Sequence, residues 1–105
     1  MSKLETATTT SDGRATVVLT GTLDISTIDQ ALRELAGARA EAPAVVIDMR
    51  QIDFIDSSGL SVIAQTARQA TETGFTLSVV PNQQARRLME ITGIASHVHI
   101  EDRDA

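Results

Sequence analysis

Asp56, Ser57, Ser58 and Gly59 stand in a row where an apolar run ending in Phe54-Ile55 gives way to a helical pattern that starts at Leu60. Two hydroxyls beside the carboxylates of Asp53 and Asp56 can serve several chemistries at such a junction. The plainest is capping, since Ser and Asp oxygens accept hydrogen bonds from the unpaired N–H groups of a helix start. One good cap suffices there, which leaves a second serine to account for. A nucleophile elbow needs glycine two residues before the serine, and Ile55 and Asp56 hold those places. The only histidines, His97 and His99, lie far along the chain with no pattern tying them to the serines. A phosphate-cradling loop needs several glycines and a lysine, whereas only Gly59 is present and the nearest cation, Arg50, precedes the loop. The remaining chemistry is covalent. A serine at a helix entry is open to an enzyme, and a phosphate on it is welcome at the helix N-terminus. The same phosphate adds about −1.5 to −2 charge beside Asp56 and repels a partner that accepts the neutral hydroxyl.

The flanking elements must position this junction. Lys3 to Thr9 reads as an extended edge strand. Asp12-Gly13 tolerates the positive φ of a tight hairpin, so the strand of Ala15 to Thr20 runs back antiparallel. Gly21-Thr22-Leu23-Asp24 reads as a turn, and Ser26 or Thr27 as the cap of a first helix with Ile28, Ala31, Leu32, Leu35 and Ala36 on its apolar face. Ala44 to Met49 is nearly all apolar, the pattern of a strand covered on both faces, with Asp48 placed near its exposed end. Leu60, Ile63, Ala64 and Ala67 carry the second helix, which Gly74 stops. Phe75 to Val80 is the next strand. Asn82 caps a third helix facing inward through Ala85, Leu88, Met89 and Thr92, and Gly93 ends it. His97 to Ile100 makes a last strand. The order β-β-α-β-α-β-α-β predicts an α/β domain, a small mixed sheet with helices packed against it.

The 105 residues suit one domain, here 1–105 with a charged, frayed tail over 102–105. There is no cysteine, hence no disulfide framework and no thiolate zinc site, which suits a reducing cytosol. No run approaches the ~18 apolar residues of a membrane span, and MSKLETATTT has no apolar core of a signal peptide. A net charge of −5 with two aromatics, Phe54 and Phe75, gives neither the basic footprint nor the stacking surface of a nucleic-acid binder. It suits an anionic membrane surface no better.

Gly21-Thr22-Leu23-Asp24, Val45-Val46-Ile47-Asp48 and above all Phe54-Ile55-Asp56-Ser57-Ser58-Gly59-Leu60 resemble the STAS-domain family, specifically its bacterial anti-sigma factor antagonists. Asn82 to Leu88 and Thr92-Gly93-Ile94 match the family's last helix and its end, so the resemblance spans about residues 14 to 101. It implies a STAS fold and a cytoplasmic, non-catalytic module. The unphosphorylated form would bind an anti-sigma factor that is also a serine kinase, freeing a sigma factor. Phosphorylation at Ser57, the first serine after the aspartate, would end that binding, and a serine/threonine phosphatase would restore it. ATP and magnesium would belong to the kinase, and this chain needs no cofactor. Asp24 would lie near the acceptor and shape the binding surface together with Asp56, Ser57, Ser58 and Gly59. The family commonly carries Glu where this chain has Thr22. It also includes STAS scaffolds and subunits of larger assemblies in which the serine goes unused.

Three other groups stand apart. His97 and His99, two apart on a strand, would share a face and could hold a metal, or simply sit on the surface. Arg86 and Arg87 could meet an acidic partner or lie on a solvated face. Ser61, Gln65 and Arg68 follow Ser57 along one side of the second helix and could extend the docking surface or merely face water.

Overall fold

The computed structural model describes residues 3–102. The chain opens with a hairpin, β1 (Leu4–Ser11) and β2 (Arg14–Leu23), paired antiparallel with Ser11 opposite Arg14. The two residues between them, Asp12 and Gly13, have φ of 54° and 76°, the double positive φ that a two-residue hairpin turn demands. Three strand-helix units follow: α1 (Ile28–Glu41), β3 (Ala44–Ile55), α2 (Ser57–Thr73), β4 (Thr76–Val80), α3 (Gln83–Thr92), a short 3-10 turn (Ile94–His97) and β5 (His99–Ile100). The sheet runs β1-β2-β3-β4-β5, and every pair after the hairpin is parallel.

That order has a geometric consequence. Each parallel crossover is right-handed, and each steps one strand in the same direction, so α1, α2 and α3 lie on one face of the sheet. α1 packs beside α2 and α2 beside α3; α1 lies over β2 and β3, α2 over β3 and β4, and α3 reaches back to β3. The core fills the space between the layers, with Ala15, Val17 and Leu19 of β2, Val45, Ile47 and Met49 of β3, and Leu77 and Val79 of β4 pointing to the helices. Among the described residues the other face carries no helix.

Asp48 corrects the sequence reading. It lies in the middle of β3 on the helix-free face and is only 4% exposed. Its carboxylate accepts from the Arg50 backbone N–H at 3.1 Å and from the guanidinium through Nε at 3.1 Å and Nη2 at 2.9 Å. Those hydrogen bonds, and then the charge behind them, raise the Arg50 pKa above its ordinary value. A second arginine acts on the same face. Arg14 points away from its buried neighbour Ala15 and pairs with Glu101, beyond β5, across the two strands between. β3 is therefore buried on both sides from Val45 to Met49, but helices cover one side, while the other carries the Asp48–Arg50 pair and is crossed by the Arg14–Glu101 pair.

Other expectations shift for local reasons. β2 does not turn at Gly21 but runs on to Leu23 through two irregularities in its register with β3. Gly21 has φ of 109°, and a Cβ there would sit 2.4 Å from the Lys3 carbonyl, so the glycine marks a close approach to the chain entering β1, beside an irregularity against β3, rather than a turn. β3 likewise runs past Met49 to Ile55. In α1, Ala38 is buried where Ala36 was expected, and Thr92 of α3 is exposed. His97 closes the 3-10 turn and is not part of β5. The expected tail begins tied down, because Glu101 donates its N–H to Val79 and Asp102 pairs with Arg86. Its remainder, 103–105, lies outside the described residues.

Candidate functional site

β3 ends at Ile55 and α2 begins at Ser57, so one residue joins them. That residue, Asp56, is the cap. Its backbone is extended at φ −118°, ψ −170°, and its Oδ1 accepts from the Gly59 N–H at 3.0 Å. Its carbonyl takes the first helical bond, from Leu60 N at 2.9 Å. Neither serine caps the helix. Ser57 and Ser58 fill the first two helical positions, where backbone N–H groups have no intrahelical acceptor. Ser57 is exposed, Ser58 half-buried, and among the described residues the Ser57 hydroxyl makes no hydrogen bond. Ser61, also exposed, turns its hydroxyl back onto the Ser58 carbonyl at 2.5 Å.

Gly59 has a role that spacing alone does not reveal. A Cβ on it would lie 2.2 Å from the Leu23 carbonyl oxygen and 2.9 Å from Ile55 Cγ1. The helix start is thus pressed against the end of β2, at the residue before Asp24. Asp24 builds the turn that follows. Its Oδ1 accepts from the Ser26 N–H at 2.9 Å and the Ser26 hydroxyl at 2.7 Å, and its own N–H donates to Thr27 Oγ1 at 3.0 Å. Thr27 occupies the cap position of α1, but its hydroxyl donates back to the Thr22 carbonyl at 2.9 Å instead of capping.

Two apolar side chains beside this junction were not singled out by sequence pattern. Ile25, next to Asp24, is 71% exposed, and Phe54, two residues before Asp56 and level with Thr22, is 48% exposed. The available signal was an apolar residue inside a polar turn, and an aromatic at the exposed end of an otherwise buried strand. The edge so formed carries Asp56 next to the two hydroxyls and Asp24 on the turn that leaves β2, with Ile25 and Phe54 exposed, while Asp53 lies toward Lys3, Glu5 and Thr20.

The other candidates are elsewhere. His97 and His99 line a depression with Ala67, Thr71 and Phe75. Ala67 is ten residues down α2, roughly 15 Å along the helix from Ser57 at its usual rise, so no serine–histidine pair is assembled. The two histidines are exposed and do not share a strand face. Among the described residues no three potential metal ligands gather, and no helix is long and apolar enough to cross a membrane. Arg86 is engaged with Asp102, while Arg87 is exposed. Ser61 and Arg68 are exposed and Gln65 half-buried along α2.

A sheet with helices on one face, and an exposed serine where a covered strand enters a helix, define a small α/β module. Residues 5–104 match the STAS domain, and the chain belongs to that family. Among solved structures it is similar to an anti-sigma factor antagonist from Mycobacterium paratuberculosis, with 26% identity and a TM-score of 0.82 over 96% of this chain and 87% of that one. It shares the fold of SpoIIAA in its unphosphorylated form (14% identity, TM-score 0.72, 97% and 90% covered). It shares equally the fold of the phosphorylated form of that Bacillus cell fate determinant (15% identity, TM-score 0.73, 97% and 92% covered). A search of curated protein sequences finds no match.

Proposed function

We propose that this chain is an anti-sigma factor antagonist whose binding is switched at Ser57. The observation that carries the reading is that Ser57 is exposed and structurally unengaged, while Asp56 does the capping. The fold can therefore lose the hydroxyl to esterification without losing a bond it needs. The unphosphorylated edge of Asp24, Asp56, Ser57, Ser58, Gly59 and Ser61 binds an anti-sigma serine kinase in the cytoplasm, with Ile25 and Phe54 as apolar anchors. That binding releases a sigma factor.

In the switching step the Ser57 hydroxyl oxygen attacks the γ-phosphorus of ATP held with magnesium by the kinase. The new O–P bond forms as the β–γ bridging bond breaks, ADP departs with the electron pair, and the serine proton passes to a base on the kinase. The dianion then sits at the N-terminus of α2, where its oxygens accept hydrogen bonds from the free N–H groups. Facing outward, it adds charge beside Asp56 and bulk on the binding edge, and the partner dissociates. A serine/threonine phosphatase reverses the ester by hydrolysis. The near-equal likeness of the chain to SpoIIAA with and without phosphate supports a scaffold that tolerates the group.

Tandem mass spectrometry of the protein isolated from its own cells tests the site. One phosphate on Ser57, removed by phosphatase treatment, is expected. A protein that stays unmodified after incubation with kinases of the same cell would instead be a STAS scaffold or subunit.

A further inference from the structure

β1 leaves one edge of the sheet unpaired, and its hydrogen-bonding phase can be read from the hairpin. Ser11 pairs with Arg14 across the two-residue turn, and the Lys3 carbonyl accepts from Thr22 N, so odd-numbered residues of β1 bond to β2. The N–H and C=O groups of Thr6, Thr8 and Thr10 therefore point outward. The neighbouring Leu4 carbonyl also points outward, and the Gln30 side chain donates to it at 2.9 Å. Among the described residues nothing bonds the groups of the three threonines. The stretch Thr6-Ala7-Thr8-Thr9-Thr10-Ser11 contains no charge, proline or bulge, the devices that keep exposed edges apart.

A second observation lies on the helix beside that edge. Gly37 is in the middle of α1, exposed, and a Cβ on it would meet nothing within 4 Å. Glycine in a helix interior is less stable than alanine, and no contact among the described residues requires it. It lines one depression with Thr8, Arg33, Glu34 and Glu41. The opposite side of α1 is turned to α2, where Arg39 donates to Gln69 at 2.9 Å and stacks over Phe75.

We infer that the β1 edge and the Gly37 face of α1 bind a second copy of this chain about a two-fold axis. An antiparallel pairing centred on Thr8 gives every outward group of Thr6, Thr8 and Thr10 a partner, with Thr8 opposite its own mate and Thr6 opposite Thr10. On the helix-free face Ala7 then meets Thr9 and Glu5 meets Ser11, so no like charges oppose each other. The two α1 helices run antiparallel beside the axis. A crossing at Gly37 places Arg33 of each copy opposite Glu41 of the other, and glycine permits the close approach. The Glu34 carboxylates stay held by the hydroxyls of Thr6 and Thr8 of their own chain. This self-complementarity favours a second copy over a foreign strand. It involves none of the residues at the Ser57 edge and stands or falls apart from the phosphoswitch.

Sedimentation of the full chain over a range of concentrations reads the result. The parent is expected to be dimeric. Thr8→Pro removes an outward N–H at an edge position where proline is tolerated, and should weaken the dimer by about tenfold or more. Gly37→Gln should also yield monomers while raising the thermal midpoint of the monomer, since glutamine is the better helix former. That opposite movement of assembly and stability separates an interface glycine from a neutral one, even if Thr8→Pro fails to fold. A parent that remains monomeric up to millimolar concentration, or a dimer that Gly37→Gln leaves intact, overturns the inference.

Discussion

At the junction each residue has a distinct job, and substitution should separate them. Asp56→Ala removes the cap of α2 and should cost about 1 kcal/mol of stability, measured by denaturant unfolding. Gly59→Ala forces a methyl group into the Leu23 carbonyl, and an overpacked site of this kind should cost about 1–3 kcal/mol. Ser57→Ala and Ser57→Asp should both melt close to the parent, because the hydroxyl carries no bond among the described residues. They should differ in binding: the alanine variant holds an anti-sigma kinase and cannot be released, and the aspartate variant binds poorly. Equal binding by Ser57→Asp and the parent would remove the electrostatic part of the account. The motif Asp-Ser-Ser-Gly pointed to this place from sequence because capping and modification both depend on local residue type. Which oxygen caps was not legible, since Ser and Asp are comparable caps and only the backbone at Asp56 decides between them.

At the scale of elements, the readable features were those governed by a residue and its immediate neighbours. Asp12-Gly13, Gly74 and Gly93 all take positive φ where the sequence predicted a turn or a helix end. Asn82 caps α3 as expected, accepting from Ala85 N at 2.7 Å, and its side-chain amide also donates to the Ile52 carbonyl at 2.8 Å. That second bond ties α3 to β3, thirty residues away, and no local pattern announces it. Gly21 misled for the same reason. A glycine there reads as a turn, but the cause is the Lys3 backbone just ahead of β1. Ile25 and Phe54 became visible only once β2 and β3 ended side by side. If they anchor a partner, Ile25→Ser and Phe54→Ser should each weaken kinase binding by about tenfold or more. Both are exposed, so stability should change by less than about 0.5 kcal/mol in a thermal or denaturant melt. A variant that melts early instead would assign the side chain to the fold.

For the whole molecule, a sheet that always steps the same way places its helices on one side and leaves the other to side chains. Asp48 shows what that means for reading a sequence. Composition said that β3 is covered on both faces, and the ion pairs on the second face depend on partners that sequence spacing does not reveal. Arg50→Ala should destabilise the domain, though by less than breaking a fully buried pair would, because the Arg50 side chain is 34% exposed. Pairing Arg50→Met with Asp48→Leu should recover most of the loss in the same unfolding measurement. The layered scaffold carries its serine on the rim, where charge can change without repacking the core. The most direct measurement of that claim is the affinity of one preparation for an anti-sigma serine kinase before and after complete phosphorylation of Ser57, with circular dichroism recorded on both samples. The account predicts a fall in affinity of at least about tenfold, or 1.4 kcal/mol, with superimposable spectra. Unchanged affinity, or a spectrum showing the domain unfolded by the phosphate, would contradict it.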